Sequence, residues 1–254
     1  MKINIIIIAA LLALAAPAAA APAAADSAFE SANSAYASGD YDKAVAGYTA
    51  AIDGGVAGPN VYYNLGNAYL KRGDVGRAVL NYERAKLFAP RDAALRANLR
   101  VARSLMKQKD PPSGKNWFEI GLNNLFRFFT LKEIFFLDFL LYYMLTSLSL
   151  IWLFVRDKRR YAKNAIVVLV VLMTPAVLSL GNRIYELEKS AIIIGAVTDA
   201  KYEPLDRSRT HFPLYDGMKV SVLKSEEGWR KIRRADGKIG WINRDMVELI
   251  AKKQ

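Results

Sequence analysis

Two long apolar blocks with a strongly basic stretch between them constrain this chain more than any other feature. Ile134 to Val155 is about 22 residues interrupted only by Asp138, and Ala165 to Gly181 is about 17; both reach the length an α-helix needs to cross a bilayer. Between them lie Arg156, Lys158, Arg159, Arg160 and Lys163 against a single acid, Asp157. Short basic loops stay on the cytoplasmic side. The pattern predicts a two-helix transmembrane hairpin over residues 131–183, with spans of about 134–155 and 165–181 and a cytoplasmic loop 156–164. The flanking regions then lie outside the cytoplasm.

The N-terminus gives an independent reading of the same topology. Met1-Lys2 precedes the apolar run Ile3–Ala15, and alanines continue to Ala25, the layout of a signal peptide over residues 1–25. Cleavage after Ala25 leaves Asp26 first, whereas cleavage after Ala21 would set Pro22 beside the scissile bond. An uncleaved anchor is the alternative, although the apolar stretch is short for a span. Signal peptide and basic loop together predict a bacterial inner-membrane protein with periplasmic N- and C-terminal domains.

Composition narrows the chemistry. There are 36 Lys+Arg against 24 Asp+Glu, a net charge of +12, with one His and no Cys. The excess is greatest around the apolar blocks: residues 111–183 carry 9 basic and 4 acidic side chains. That is the signature of membrane-flanking loops and argues against nucleic acid. Without cysteine there are no disulfides, thiolate metal sites or cysteine nucleophiles. His211 alone cannot make a two-histidine zinc site. No metal, no cofactor and no enzymatic activity are expected.

Within the hairpin, Pro175 interrupts the second span by removing a backbone donor. Asp138 is an intramembrane acid and so a functional candidate, but by helix rise it lies about one turn from the outer edge and can reach the interface. Upstream, Pro111-Pro112-Ser113-Gly114 reads as a linker. Trp117, Phe118, Leu122, Leu125, Phe126 and Phe129 then recur at helical spacing, predicting an interfacial amphipathic helix within residues 111–130. Thr130 and Glu133 form a capping-box pair that opens the first span.

Residues 26–110 repeat themselves. Gly39-Asp40 recurs as Gly73-Asp74, Ala44 as Ala78, Tyr48 as Tyr82 and Ala51 as Ala85; Asn33 recurs as Asn67, and Asn64-Leu65 as Asn98-Leu99. The period is 34 residues, and each copy reads as two helices joined at a Gly-Asp turn. Tyr62, Leu65, Gly66, Tyr69, Gly73, Ala78, Tyr82, Ala85 and Pro90 resemble the tetratricopeptide repeat, and a third copy stops after one helix, from about Arg91 to Gln108. The resemblance implies an all-α solenoid whose first helices line a peptide groove. Asn64, Asn67 and Lys71 share one helical face, and Asn33 and Asn98 occupy equivalent positions. These five are the candidate groove residues, because asparagine both donates to and accepts from an extended backbone. The same asparagines are equally repeat consensus, since a fold does not by itself supply a ligand.

From about residue 190 the pattern turns to alternation. Ala191–Ile194, Lys219–Leu223, Trp229–Arg233 and Ile239–Ile242 are strand-like, with turns at Asp216-Gly217, Glu227-Gly228 and Asp236-Gly237. Five short strands over residues 190–250 predict a small all-β barrel. Leu214-Tyr215-Asp216-Gly217, Trp229 and Gly237-Lys238-Ile239-Gly240-Trp241-Ile242 resemble a bacterial SH3-like domain. Tyr202, Phe212 and Trp229 are candidates for an aromatic ligand face, although aromatics in so small a barrel also serve as core. His211, beside Phe212 and Pro213, reads as a surface-loop residue.

The fold class is thus multidomain: a tetratricopeptide-repeat solenoid, a transmembrane hairpin and an SH3-like barrel, in that order after a signal peptide. This order resembles the BatE-like membrane proteins of Bat aerotolerance operons over nearly the whole chain from Asp26 to Ile250. The resemblance implies a non-enzymatic scaffold in the membrane bilayer. Its implied partners are von Willebrand factor type A domain membrane proteins and a MoxR-type ATPase, in a complex linked to aerotolerance or envelope stress. A cell-wall protein that grips peptidoglycan through the barrel is the alternative. An enzyme using carboxylate pairs finds no motif here.

Overall fold

Each Gly-Asp pair builds a helix-to-helix turn. Gly39 and Gly73 take φ of +82° and +80°, a left-handed conformation that glycine adopts without a Cβ clash. The next residue caps the following helix: the carboxylate of Asp40 accepts from the Lys43 amide, and that of Asp74 from the Arg77 amide. Asp92 does the same for Leu95. The computed structural model describes residues 20–112, 121, 128–195 and 197–251. Five helices come first: α1 (Ala20–Ala37), α2 (Tyr41–Asp53), α3 (Pro59–Lys71), α4 (Val75–Phe88) and α5 (Ala93–Ser104). Successive helices pack on one another. Their shared core holds Ala44, Tyr48 and Ala51 and, one period later, Ala78, Tyr82 and Ala85, all buried. Small residues set the helix spacing. A Cβ on Gly66 would lie 2.8 Å from the Tyr82 ring, and one on Gly47 2.8 Å from Ala32. The expected cleavage point after Ala25 falls inside α1, where Ala25 is buried; residues 1–19 and most of the expected interfacial helix lie outside the described residues.

Two long helices follow, α6 (Leu131–Phe154) and α7 (Arg159–Lys189), each long and apolar enough to cross a membrane. Both bonds of the Thr130–Glu133 capping box start α6. A single 3₁₀ turn, Arg156–Lys158, joins the helices, and the guanidinium of Arg159 donates to the carbonyls of Trp152 at 3.1 Å and Leu153 at 3.2 Å. A cation here satisfies carbonyls that a helix end leaves open. The connection is shorter than the expected loop because residues 159–164 are already helical. At its other end α7 runs past Gly181 to Lys189 and passes directly into the first strand at Ser190.

The C-terminal module has seven strands where the sequence pattern suggested five: β1 (Ser190–Ile193), β2 (Thr198–Lys201), β3 (Thr210–Leu214), β4 (Lys219–Glu226), β5 (Trp229–Arg233), β6 (Ile239–Asn243) and β7 (Val247–Leu249). They form one sheet in the order β3-β2-β6-β5-β4-β1-β7, antiparallel at every pairing. β3 lies at one edge, where Pro213 can be tolerated. Strand β1 is buried on both faces. Ala191 and Ile193 enter the barrel core with Leu214, Val220, Ile232 and Ile242, while Ile192 enters the helical core beside Ile250. That explains why Ala191–Ile194 is a continuous apolar run and does not alternate.

The barrel is docked on α4. Arg84, 8 % exposed, donates to the carbonyls of Ile250 at 3.1 Å and Leu249 at 3.0 Å and to the Glu248 carboxylate at 2.7 Å. Asp216 accepts from the amide of Gly76 at 2.7 Å, in the first turn of α4, and from that of Gly195 at 2.9 Å. Asp110 accepts from the Lys219 amide at 3.1 Å. A Cβ on Gly76 would come within 1.8 Å of the Asp216 carboxylate, so only glycine permits this approach.

Candidate functional site

Four of the five groove candidates form one hydrogen-bonded ladder across the first helices. The Asn33 carbonyl accepts from the Tyr48 hydroxyl at 2.8 Å and the Asn64 amide at 3.1 Å. One period later, the Asn67 carbonyl accepts from the Tyr82 hydroxyl at 2.6 Å and the Asn98 amide at 3.0 Å. Asn98 also donates to the Tyr63 hydroxyl at 2.9 Å. The 34-residue repeat is therefore a repeat of bonding as well as of packing. Burial pushes the phenols of Tyr48 and Tyr82 up from their ordinary value, keeping both protonated as donors. Much of the asparagine bonding capacity is used inside the domain. The ladder joins α1, α3 and α5 side by side. Lys71 stands exposed at the end of α3 and takes no part in the ladder.

The expected aromatic face of the barrel needs one correction. Tyr202 is 59 % exposed and Trp229 is half-buried, but Phe212 is 3 % exposed and packs in the barrel core. Phe212 and Leu214 share the inner face of β3, so the alternation that buries one buries the other. Its place at the surface is taken by His211. The imidazole lies on β3 rather than in a loop and stacks on Tyr202, with ring centroids 4.1 Å apart and planes 16° from parallel. It meets the Phe212 ring edge-on at 4.9 Å. The His211 Nδ1 is buried and has no partner among the described residues. Lys201 sits 5.6 Å from the centroid of Trp229, and Lys231 sits 5.7 Å from that of Trp241. Lys201, Trp241 and Lys231 are direct cross-strand neighbours, a cation–aromatic row that motif reading did not single out. Its signal in the sequence is the outward register of Lys231 and Trp241 around the inward Ile232 and Ile242.

Asp138 is also placed differently from expectation. It is 9 % exposed, and neither carboxylate oxygen has a hydrogen-bond partner among the described residues. It lies about two turns inside α6, because that helix starts at Leu131. No cluster of three or more His, Cys, Asp or Glu that could hold a metal occurs among the described residues.

Comparison with known proteins covers the C-terminal module. No curated protein matches the chain. Residues 203–248 match the bacterial SH3 domain family, which makes the seven-stranded module SH3-like.

Proposed function

We propose that the protein is a non-enzymatic scaffold of the bacterial inner membrane, holding a tetratricopeptide-like module and an SH3-like module together on the periplasmic side. The observation that carries this reading is the docking of the barrel on α4 through Arg84, Asp216 and Asp110. It leaves the asparagine ladder on the first helices and the Tyr202–His211 stack as two separate outward surfaces on one body. Two weak sites held together bind a common target more tightly than either alone, through effective concentration. An SH3-like domain is suited to protein or peptidoglycan binding, and a signal peptide followed by two apolar helices suits an extracytoplasmic position. In a Bat-type assembly the partners would be von Willebrand factor type A domain membrane proteins and, on the basic-loop side, a MoxR-type ATPase.

The test is crosslinking and affinity capture from native membranes with the full chain. Asn64→Ala/Lys71→Ala is the informative variant, because Asn67 is needed by the buried Tyr82 hydroxyl and its loss would disturb the fold. Capture of von Willebrand factor type A proteins by the wild type and its loss in the variant would support the scaffold. Equal capture would move the contact elsewhere. The second reading, a peptidoglycan binder, is favoured by the exposed Tyr202 and the Lys201–Trp229 pair. It requires pull-down of the detergent-solubilised chain by cell-wall sacculi, lost in Tyr202→Ala/Trp229→Ala.

A further inference from the structure

Three parts of the molecule meet at the end of the hairpin opposite the basic loop: the last turns of α7, helices α4 and α5, and the barrel. A cavity of about 170 Å³ lies in this junction. A volume of about 10–15 Å³ on this measure admits one water, so the cavity accommodates a phosphodiester headgroup. Lys86, Arg103, Arg183 and Lys219 line it, against Glu83 and Glu186. Glu83 is 6 % exposed and holds Arg103 at 2.6 Å and Lys219 at 3.8 Å, which fixes those two cations on the wall. Four cations against two acids leave the cavity electropositive, and partial desolvation strengthens its pull on an anion.

A second hollow is lined by the same helix, α7. Leu180 and Ile184 face Phe135, Phe136 and Phe139 of α6 across an apolar groove of about 620 Å³, with Lys132 also on its lining. Leu180, Ile184 and the cavity residue Leu187 fall at i, i+4 and i+7, on one face of α7, and Arg183 is next to Ile184. Cationic cavity and apolar groove are therefore consecutive along one helix, at the end of the apolar block. A soluble anion would use only the first and a hydrocarbon only the second.

We propose that these hollows together bind one anionic phospholipid, its phosphate in the junction cavity facing Lys86 and Arg183 and an acyl chain along the groove. Basic pockets beside membrane helices recognise lipid phosphates in this way. The bound lipid touches the helical module, the barrel and both long helices, and so fastens the docked pair to the membrane surface. The proposal rests on α6 and α7 spanning the membrane.

The full chain, purified in detergent and stripped of lipid, is titrated with dioleoylphosphatidylglycerol and followed by native mass spectrometry. One tightly held lipid is expected, weakened at least ten-fold in Lys86→Gln/Arg183→Gln and in the groove-filling Ile184→Trp, and retained in Lys86→Arg. Millimolar sn-glycerol 3-phosphate should not displace it. Unchanged lipid affinity in both variants overturns the proposal, as does displacement by glycerol phosphate, which would mark a free-anion site. Circular dichroism confirms that each variant is folded, and if the double variant is not, Ile184→Trp decides alone. Carbonate washing of native membranes separates the two levels: a chain washed off overturns the spanning reading and the lipid site with it. A chain retained but without the lipid overturns only the site.

Discussion

Arg84 satisfies three acceptors on the last strand and the residue that follows it, all more than 160 residues away in the chain. Replacing it with Met keeps its packing under the Tyr62 ring but leaves the carbonyls of Leu249 and Ile250 without their donor. Loss of charge-assisted bonds in a buried setting costs about 3 kcal/mol. Arg84→Met should therefore lower the melting temperature of the detergent-solubilised chain by several degrees, and an unchanged midpoint would show that the dock does not depend on this residue. Asp216 and Asp110 make the same interface pH-sensitive. Burial raises both carboxyl pKa values above the ordinary range, against the lowering effect of the backbone amides they accept from. A raised folded-state pKa means the native state binds more protons than the unfolded one, so this contribution to stability falls as pH rises through the folded pKa values. The dock should be firmer just above pH 4 than at pH 7. Melting followed across that range should lose this component in Asp216→Asn/Asp110→Asn, and an identical pH profile would contradict it.

At the scale of elements, helix pairing depends on the ladder as much as on the alanine-lined core. In Tyr82→Phe the Asn67 carbonyl keeps the Asn98 amide, so about 1 kcal/mol should be lost. In Asn67→Ala the buried Tyr82 hydroxyl loses its acceptor and Asn98 loses one of two, and the cost should be about 2–3 kcal/mol. Urea unfolding monitored on the helical module should rank the variants in that order; the reverse order would mean that the ladder contributes nothing to pairing. These elements were legible in the sequence because each helix carries its own signals: a 34-residue period, Gly-Asp turns and aspartate caps. The same holds for β1, β4, β5 and β6, whose apolar residues recur locally. β2 and β3 were not legible, since Thr198–Lys201 buries only Ala200 and Thr210–Leu214 contains Pro213. β7 is three residues long and is defined by its pairing with β1. Missing β3 concealed its register, and without register Phe212 could be assigned to either face. Nor could the asparagines be seen to bond to tyrosines 15 residues away, because that depends on how two helices pack.

For the whole molecule, the barrel completes the helical module. The repeat stops after one helix of its third copy, which would leave the outer face of α4 and the end of α5 uncovered. Ile192, Ile194 and Ile250 close that face, and Met106 packs against both cores. Ile192 and Ile250 are buried and Ile194 partly so; the two buried side chains contribute roughly 1.5–3 kcal/mol each, a sizeable share of the marginal stability of a small domain. Because α7 enters β1 without a linker, the barrel is also fixed to the hairpin, and the helical module is fixed to the barrel in turn. A chain ending at Lys189 keeps every helix yet should lose the protection of α4. Backbone amides of Val75–Phe88 should exchange with deuterium at least ten-fold faster, while those of α6 and α7 stay unchanged. Inserting a six-residue Gly-Ser linker between Lys189 and Ser190 should leave that protection intact, because the dock is made by Arg84 and Asp216 and not by the covalent junction. If the truncated chain protected α4 as well as the full one, the helical module would be self-sufficient. If the linker alone exposed α4, the continuous α7–β1 connection, rather than the side-chain interface, would be what holds the barrel in place.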